Sequence, residues 1–382
     1  ISLGLVGSEM CIRDRNLSGG IRKMAKKLRV GVLGATGFVG QRLVTLLTDH
    51  PYFDVTVLAA SERSSGKTYE EAIGGKWKLT TEMPEWTKKM VVKNLHNIDE
   101  IKEEVDFVFC AVNMDKKEIQ KIEEDYAKAE VPVVSNNSAH RMTKDVPVII
   151  PEINNEHLKV IDSQKKRLGT KKGFIIAKPN CSIQSYVPPI TALLEFEPTE
   201  ILVTTMQAIS GAGKTFKDWP EMQDNVIPYI GGEEEKSEVE PLKVWGHIEG
   251  DEIKPVEGIK ISAQCMRVAV TDGHMATVAI NFKKKPTKEQ ILKAWKEFSG
   301  RPQELELPHA PKQFITYFEE DNRPQTHIDR DVEGGMGVTV GRLREDNIFQ
   351  YKFVGLSHNT LRGAAGGAVL MAELLYREGY LY

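Results

Sequence analysis

Cysteine and long hydrophobic runs are both scarce in this chain. Only four cysteines occur in 382 residues, at positions 11, 110, 181 and 265, and no two of them form a CxxC pair. This distribution excludes a disulfide framework and a cysteine-based structural zinc site, and it is typical of a reducing compartment. No uncharged apolar run approaches the roughly 20 residues that a bilayer-spanning helix requires. An integral membrane protein is therefore excluded.

An excess of charge of one sign is also missing. The chain has 51 basic and 54 acidic side chains and a formal net charge of −3. A balance so close to neutral argues against a nucleic-acid partner or a polybasic membrane surface. The histidines at positions 157, 247, 274, 309 and 327 show no ligand spacing such as HxxxH, so no metal site is predicted. We expect a soluble, cytoplasmic protein of enzyme size.

The length and the patterning predict two domains. Residues 1–23 have no periodicity, and we expect them to be an extraneous or disordered extension, with Met24 the more natural start. From residue 28 strands and helices alternate as in βαβ units on a parallel sheet. From about residue 199 strand-like runs predominate, which predicts an α+β domain with a mixed or antiparallel sheet. Between two of these runs, Asp272-Gly273 predicts a hairpin.

A glycine-rich turn follows the first strand of the alternating region. The strand Leu28–Leu33 leads into Gly34-x-x-Gly37-x-x-Gly40 and then a helical stretch. Glycines in this context allow the backbone to approach a pyrophosphate, which then lies at the positive end of the helix. The turn therefore predicts a dinucleotide site. After the second strand, Arg63 and neighbouring hydroxyls favour a 2′-phosphate and hence NADP, whereas Glu62 leaves NAD open.

Cys181 and His274 are the candidate catalytic pair. Cys181 follows the strand-like run Phe174–Ala177 and precedes a predicted helix, where the helix dipole would stabilise a thiolate. His274 lies just beyond the predicted hairpin, and its side chain has an ordinary pKa near 6.5. A nucleotide domain, a cysteine nucleophile and a histidine together suit acyl transfer coupled to hydride transfer.

At this point the sequence resembles a known family, the aspartate-semialdehyde dehydrogenases of the archaeal and fungal branch. The resemblance runs from Leu28 to the C-terminus. It is carried by six stretches in family order: GATGFVGQRL, SNNSAHR, PNCS, QAISGAG, CMRVAVTDGH and GMGVTVGRLR. It implies a Rossmann-type NADP-binding domain over residues 24–179, completed by the C-terminal helix 357–382. Residues 180–356 would then form a catalytic and dimerisation domain.

The resemblance also implies a reaction. The Cys181 thiolate would attack L-aspartyl-4-phosphate and expel phosphate, and NADPH would reduce the resulting thioester to L-aspartate-4-semialdehyde. This is a step in the biosynthesis of lysine, methionine and threonine. His274 would handle the proton, Gln207 would orient the acyl group, and Asn180 would orient the nucleophile or hold the acyl oxygen. A homodimer or homotetramer is implied, with small-molecule substrate and phosphate as the partners.

Substrate contacts follow from the same resemblance. Arg267 would bind the α-carboxylate and Arg141 the phosphate. A Glu-x-x-Lys pair would contact the ammonium and the phosphate, and we assign it to Glu240 and Lys243. Glu233 and Lys236 have the same spacing seven residues earlier and remain the alternative.

The implied NADP contacts belong to the glycine turn, the segment after the second strand, the end of the third strand, the stretch QAISGAG and the start of the final helix. They are Gly34, Ala35, Thr36, Gly37, Phe38, Val39, Gly40, Ser61, Arg63, Ser64, Ala111, Asn113, Ser210, Gly211 and Asn359.

Two other functions stay open at the level of the sequence. One is reduction of malonyl-CoA or a related thioester with the same fold and nucleophile, since Arg267 would hold a malonyl carboxylate equally well. The other is a non-catalytic NADP-binding regulatory protein in which Cys181 and His274 are structural.

Overall fold

In the computed structural model of the chain, which describes residues 26–382, a parallel sheet forms the first half of the protein. The predicted extension 1–23, with Cys11, lies outside the described residues. Six strands pair in the order β3-β2-β1-β4-β5-β6, and every pairing is parallel. They are β1 (Leu28–Leu33), β2 (Phe53–Ala60), β3 (Lys93–Asn94), β4 (Phe107–Cys110), β5 (Val133–Ser135) and β6 (Ile175–Ala177).

Short helices connect these strands. They are α1 (Phe38–Leu46), α2 (Tyr69–Ile73), α3 (Glu85–Lys88), α4 (Ile98–Lys102), α5 (Lys116–Lys128) and α6 (Ile161–Leu168). The strand order reverses direction between β1 and β4, and the crevice outside the carboxyl ends of two such strands is where doubly wound sheets bind ligands. The fold thus predicts a ligand site at the loops after β1 and β4.

The glycine turn after β1 is held tightly against β4. Gly34 has φ +84°, and a Cβ there would lie 2.4 Å from the Ala111 carbonyl oxygen. A Cβ on Gly40 would lie 2.2 Å from the Gly34 carbonyl oxygen. Side chains at these two positions would push the turn away from both β4 and α1. The glycines are therefore required by the packing of the turn itself, before any ligand is considered.

The second half of the chain is built on a mixed sheet of seven strands in the order β13-β14-β15-β12-β7-β11-β8. They are β7 (Pro198–Gln207), β8 (Val226–Ile227), β11 (Lys260–Val268), β12 (His274–Phe282), β13 (Ile315–Phe318), β14 (Val338–Glu345) and β15 (Tyr351–Ser357). Strand β11 runs parallel to β7 and β13 parallel to β14, whereas the other pairings are antiparallel. A separate pair, β9 (His247–Glu249) and β10 (Glu252–Lys254), is antiparallel.

The predicted hairpin at Asp272-Gly273 is wrong. The strands on either side of it, β11 and β12, do not pair with each other, because β7 lies between them and pairs with both. The dipeptide still makes a tight turn, and Gly273 has φ +102°. The turn signal is local, whereas strand pairing is decided by long-range packing.

The helices of this half pack around the mixed sheet and against the first half. They are α7 (Val187–Thr191), α8 (Glu233–Val244), α9 (Lys288–Glu297), α10 (Arg301–Glu304), α11 (Thr326–Asp329) and α12 (Ala365–Arg377). Helix α12 is buried along most of its length and shares a hydrophobic core with β1 and α1. The end of the chain thus returns to the parallel sheet. In residues 26–382 no helix is both long and apolar enough to cross a membrane.

A buried polar cluster fixes α12 to the parallel-sheet half. Glu373 on α12 is fully buried and accepts a hydrogen bond from His50 Nε2 at 2.9 Å. It also accepts from His309, through both the ring Nδ1 and the backbone N–H. His50 Nδ1 accepts from the Tyr52 N–H at 3.2 Å, so Nε2 carries the proton of the neutral ring. These residues are of metal-ligating type and lie within reach of one another, a grouping that their spacing in the sequence did not indicate.

We expect Glu373→Gln to destabilise the protein by about 1–3 kcal/mol at pH 7, since it weakens hydrogen bonds to buried donors. The two histidines hold the pKa of the Glu373 carboxyl below its usual value despite burial. A depressed carboxyl pKa contributes stability that is present above the unfolded value of about 4.3 and lost as the pH falls through the folded value. Urea unfolding should show a smaller difference in free energy of unfolding between the unsubstituted protein and Glu373→Gln at pH 3.5 than at pH 7.

The matched control is Glu378→Gln, which removes a carboxylate that pairs with Arg301 at the surface. Its effect should stay below about 1 kcal/mol at either pH. An equal effect of the two substitutions at pH 7 would contradict the structural role of Glu373.

Candidate active site

Cys181 lies four residues after β6, at the carboxyl edge of the parallel sheet. The predicted helix after it is wrong in length. A single 3₁₀ turn, Ser182–Ser185, follows Cys181, and α7 begins only at Val187, with prolines in its first turn. A turn this short carries little dipole, so the thiolate must be stabilised mainly by neighbouring charges.

Those neighbouring charges act in both directions. The pKa of the Cys181 thiol is raised to about 11, by burial first and by the Glu233 carboxylate next. Lys178, Arg141 and Arg267 oppose it. Three cations thus favour the thiolate, and one of them, Arg141, is already paired with the Glu240 carboxylate.

A cavity of about 360 Å³ opens in front of Cys181. It lies between the loops after β1 and β4, where the strand order reverses, and the turn that enters α12. The predicted site residues that line it are Val39, Asn113, Arg141, Asn180, Cys181, Ser210, Gly211 and Asn359. A larger groove of about 700 Å³ lies elsewhere, around Met142 and Ser163, and contains no predicted site residue. The smaller cavity is therefore the one that brings the predicted site residues together.

His274 and Arg267 lie together behind Gly211, which lines this cavity. A Cβ on Gly211 would be 2.9 Å from Arg267 Nη1 and 3.0 Å from His274 Nε2. Arg267 Nη1 donates to the Ala208 carbonyl at 2.7 Å, and the Ala208 N–H donates to His274 Nδ1 at 3.1 Å. One residue, Ala208, thus positions both side chains through its backbone.

The environment of His274 changes its chemistry. Complete burial, together with the charge of Arg267, lowers the pKa of the imidazole well below its usual value, so the ordinary pKa used in the sequence analysis does not apply. Because Nδ1 accepts from Ala208, Nε2 carries the proton of the neutral ring. In the described part of the chain Nε2 has no hydrogen-bond partner. His274 therefore presents a free N–H donor behind Gly211.

The first Glu-x-x-Lys pair, Glu233 and Lys236, is at the rim of the cavity, on the first turn of α8. Lys236 Nζ donates to Glu233 at 2.8 Å. The Asn180 side-chain amide donates to both Glu233 carboxylate oxygens at 3.0 Å, and Gln207 donates to the same group at 3.3 Å. The two predicted residues Asn180 and Gln207 therefore converge on Glu233.

The second pair, Glu240 and Lys243, is two helical turns further along and does not line the cavity. The three N–H donors of Lys243 are all used, by the carbonyls of Arg141, Thr143 and Val146 at 2.7–2.9 Å. Glu240 accepts from Arg141 Nη1 at 2.9 Å and from the Asn180 N–H at 2.6 Å. The structure therefore places the predicted substrate contacts Glu240 and Lys243 outside the cavity, and Lys243 has no N–H donor left for a substrate.

The predicted cofactor residues described next lie in three parts of the structure. Asn359 donates to Ser210 at 2.8 Å and accepts from the Gly273 N–H, which ties the end of β7 to the entrance of α12. The glycine turn, residues 34–40, ends at the N-terminus of α1. Ser61, Arg63 and Ser64 form a turn after β2, and Ser64 is buried there, whereas Arg63 is exposed. No side-chain hydrogen bond of Arg63 is present in residues 26–382.

Two family models match the chain. Residues 29–161 match the NAD binding domain of semialdehyde dehydrogenase, and residues 189–362 match its dimerisation domain. The aspartate-semialdehyde dehydrogenase of Aspergillus fumigatus is 42% identical over 364 residues, which cover 93% of this chain and 99% of the relative. The chain belongs to the aspartate-semialdehyde dehydrogenase family. The branch inferred from the sequence is confirmed, since fungal and archaeal members match almost equally well.

Archaeoglobus fulgidus supplies the archaeal example, an aspartate-semialdehyde dehydrogenase 43% identical over 351 residues, which cover 91% of this chain and 98% of the relative. Among solved structures, the aspartate semialdehyde dehydrogenase of Candida albicans with NADP superposes with a TM-score of 0.83 at 38% identity, and it covers 93% of this chain and 100% of its own. The predicted fold class, a Rossmann-type domain with a second mixed-sheet domain, is confirmed.

Within this family fold, the cavity contains polar residues that the sequence analysis did not single out. Asn136, Asn137 and Ser138 follow β5 and line the cavity, and so does Thr360. The side-chain amide of Asn136 is buried without a hydrogen-bond partner in the described chain. For Asn136, Asn137 and Ser138, the available signal in the sequence was their position after a predicted parallel strand, within the stretch SNNSAHR.

Proposed function

We propose that this chain catalyses the NADPH-dependent reductive dephosphorylation of L-aspartyl-4-phosphate to L-aspartate-4-semialdehyde. The observation that carries the proposal is the meeting of Cys181, Arg141 and the Glu233–Lys236 pair in one cavity at the point where the strand order reverses. Membership of the aspartate-semialdehyde dehydrogenase family supports it. The residue roles below are part of the proposal.

Cys181 is the nucleophile. Its sulfur attacks the acyl carbon, the bond from that carbon to the phosphate oxygen breaks, and a thioester remains on Cys181. Arg141, Arg267 and Lys178 lower the free energy of the thiolate against the cost of its burial. Asn180 positions the sulfur from the preceding residue, since its side-chain oxygen accepts from the Ser182 N–H and hydroxyl and so shapes the turn after Cys181.

His274 donates from Nε2 to the substrate oxygen, where negative charge develops when the acyl carbon becomes tetrahedral. An N–H donor that needs no reorientation stabilises such charge in a water-poor site. When the aldehyde forms, the same N–H group holds its oxygen while the bond from sulfur to carbon breaks. The Cys181 thiolate is thereby regenerated for the next cycle.

The substrate's charges match the residues around the cavity. Arg267 binds the α-carboxylate through its planar guanidinium, and Glu233 accepts from the α-ammonium. Arg141, whose Nε has no partner in residues 26–382, and Lys236 bind the phosphate. The carboxylate of Glu233 favours an aminoacyl substrate over malonyl-CoA, which has no ammonium group to meet it.

NADP fits the glycine turn and the crevice beside it. Only glycine is accommodated at 34, where the backbone meets Ala111, and at 40, where it meets the Gly34 carbonyl, and the turn leads directly to the N-terminus of α1, where a pyrophosphate is favoured. The solved Candida albicans relative carries NADP. When bound, NADPH supplies the hydride that reduces the acyl group. Val39, Asn113 and Asn359 line the cavity in which its nicotinamide would lie.

Membership of the family also supports a division of the chain into two domains and its assembly into an oligomer. We assign residues 24–179 and 357–382 to the NADP-binding domain and 180–356 to the catalytic and dimerisation domain. The match of residues 189–362 to a dimerisation domain supports an oligomer. A homodimer, or a homotetramer built from dimers, is the assembly that we propose.

The decisive assay runs in the oxidative direction. L-Aspartate-4-semialdehyde should reduce NADP only when phosphate or arsenate is present, because phosphate is the group that releases the acyl chain from Cys181. Malonyl-CoA with NADPH is the comparison reaction. Activity in the comparison reaction alone would overturn the choice of substrate and leave the cysteine chemistry intact.

Arg63 is expected to select NADP over NAD. Its exposed guanidinium follows β2, where the adenosine ribose lies in doubly wound nucleotide folds. Arg63→Ala should raise the KM for NADPH roughly 10-fold or more, with much less effect on NADH, since only the 2′-phosphate pairs with the arginine. Steady-state kinetics with both cofactors would measure this, and an equal loss with both would count against a 2′-phosphate contact.

A further inference from the structure

Lys178 is a buried lysine that the mechanism above uses only as one of three cations. It follows β6 and is 3% exposed. Its ammonium has three N–H donors, yet the one hydrogen bond it makes within residues 26–382 is to the adjacent Pro179 carbonyl, at 3.2 Å. No salt bridge joins it to a carboxylate of the described chain. A buried charge without a partner is costly, so this position calls for a compensating anion.

The side chains of Lys178 and Cys181 pack against the same turn. A Cβ on Gly363 would lie 2.8 Å from Cys181 Cβ, and a Cβ on Gly367 would lie 2.7 Å from Lys178 Cε. These two glycines are four residues apart, on either side of the start of α12. Glycine at these two positions leaves room for the Cys181 and Lys178 side chains, which therefore pack against the same surface of the turn.

The carboxylates nearby are already engaged. Glu240 accepts from Arg141 and from the Asn180 N–H, and Glu233 accepts from Asn180, Gln207 and Lys236. Of the charged groups that act on Lys178, Cys181 has the largest effect, and Lys178 in turn is the first of the groups that favour the thiolate. Arg267, by contrast, is held by the Ala208 carbonyl.

We propose that the Lys178 ammonium is the buried counter-ion of the Cys181 thiolate, and that Lys178 is thereby a positioning residue for the nucleophile. The pKa of Lys178 is lowered to about 7 by burial, even though the Cys181 anion acts to raise it. Each group therefore favours the charged form of the other. The inference rests on the proposed role of Cys181, because a counter-ion has a function only if the thiolate is used.

The test measures the ionisation of Cys181 directly. The rate of its alkylation by iodoacetamide is followed against pH, with the product located by mass spectrometry, in the unsubstituted protein, Lys178→Met and Lys178→Arg. Lys178→Met should move the midpoint to higher pH by about one unit or more, which is roughly a 10-fold loss of rate below the midpoint. Lys178→Arg, which keeps the charge, should move it by less than about half a unit.

A reciprocal measurement covers the case in which Lys178→Met does not fold. In the unsubstituted protein with ¹⁵N-labelled lysine, blocking Cys181 with a neutral alkyl group should lower the pKa of Lys178 by a similar amount, because coupling between two titrating groups is mutual. An unchanged midpoint in folded Lys178→Met, or an unchanged lysine titration after blocking, would overturn the proposal. Neither readout depends on turnover, so failure of the proposed reaction would be recognised separately.

Discussion

Cys181→Ala is expected to lower turnover by roughly four to six orders of magnitude, because the acyl group then has no sulfur to which it can be transferred. Binding of NADPH should be nearly unchanged, since the glycine turn and α1 are separate from Cys181 in the chain and make their own contacts. Turnover is measured with L-aspartate-4-semialdehyde, NADP and phosphate. Cofactor binding is measured by quenching of intrinsic fluorescence.

Cys265→Ala is the matched control for this substitution. Cys265 is buried, on β11, and its sulfur contacts Ser237 and does not line the cavity. It should keep activity within a few-fold of the unsubstituted chain. Loss of activity in both variants would mean that thiol removal acts through folding, and retained activity in Cys181→Ala would contradict the cysteine mechanism.

The second large effect is expected from Lys243→Met, and it is an effect on stability. The Lys243 ammonium donates to three carbonyls within the segment 141–146 and so fixes the loop that carries Arg141. Its removal leaves those buried acceptors without their donor and should lower the free energy of unfolding by roughly 3–5 kcal/mol. Chemical denaturation at pH 7 measures this directly.

Lys236→Met provides the contrast. Lys236 lines the cavity, and its one hydrogen bond within residues 26–382 is to Glu233, so its loss should change stability by less than about 1 kcal/mol. It should instead raise the KM for phosphate roughly 10-fold or more, because a charge-assisted contact is lost. If Lys243→Met were stable and impaired only in phosphate binding, the original assignment of Glu240 and Lys243 would be restored.

The two Glu-x-x-Lys pairs show where prediction from the sequence stops. They are seven residues apart, which is two helical turns and roughly 10 Å along α8. They therefore lie on the same face, and the pattern gives no means of choosing between them. The choice depends on which end of α8 meets the cavity, and that is set by the packing of the helix against β11 and the Cys181 loop.

The parallel sheet could be predicted as a set of βαβ units because most of its strands are short apolar runs separated by turn signals, whereas the two polar residues of β3 give no such signal. The predicted strand Leu28–Leu33 agrees with β1, and the strand-like run Phe174–Ala177 contains β6. The mixed sheet could be predicted only as a class. Its strand order places β7 between β11 and β12, and nothing within the turn at Asp272-Gly273 indicates that a third strand enters between its neighbours.

The features that could not be predicted from the sequence arise from contacts between segments that are far apart in the chain. His50 and Glu373 are 323 residues apart, and Glu373 meets both His50 and His309 only because α12 returns to the first sheet. The low pKa of His274 likewise follows from burial behind Gly211, which its position in the sequence did not reveal. Lys178 stands three residues from the nucleophile, but only the turn at Gly363 and Gly367 brings the two side chains onto one surface.

The most direct measurement is mass spectrometry of the protein trapped with its acyl donor before any reductant is added. Peptide mapping should locate an aspartyl thioester on Cys181, and the adduct should be missing from Cys181→Ala. It should disappear from the unsubstituted protein once NADPH is supplied. An adduct at any other residue, or steady turnover under conditions in which Cys181 carries none, would contradict the account.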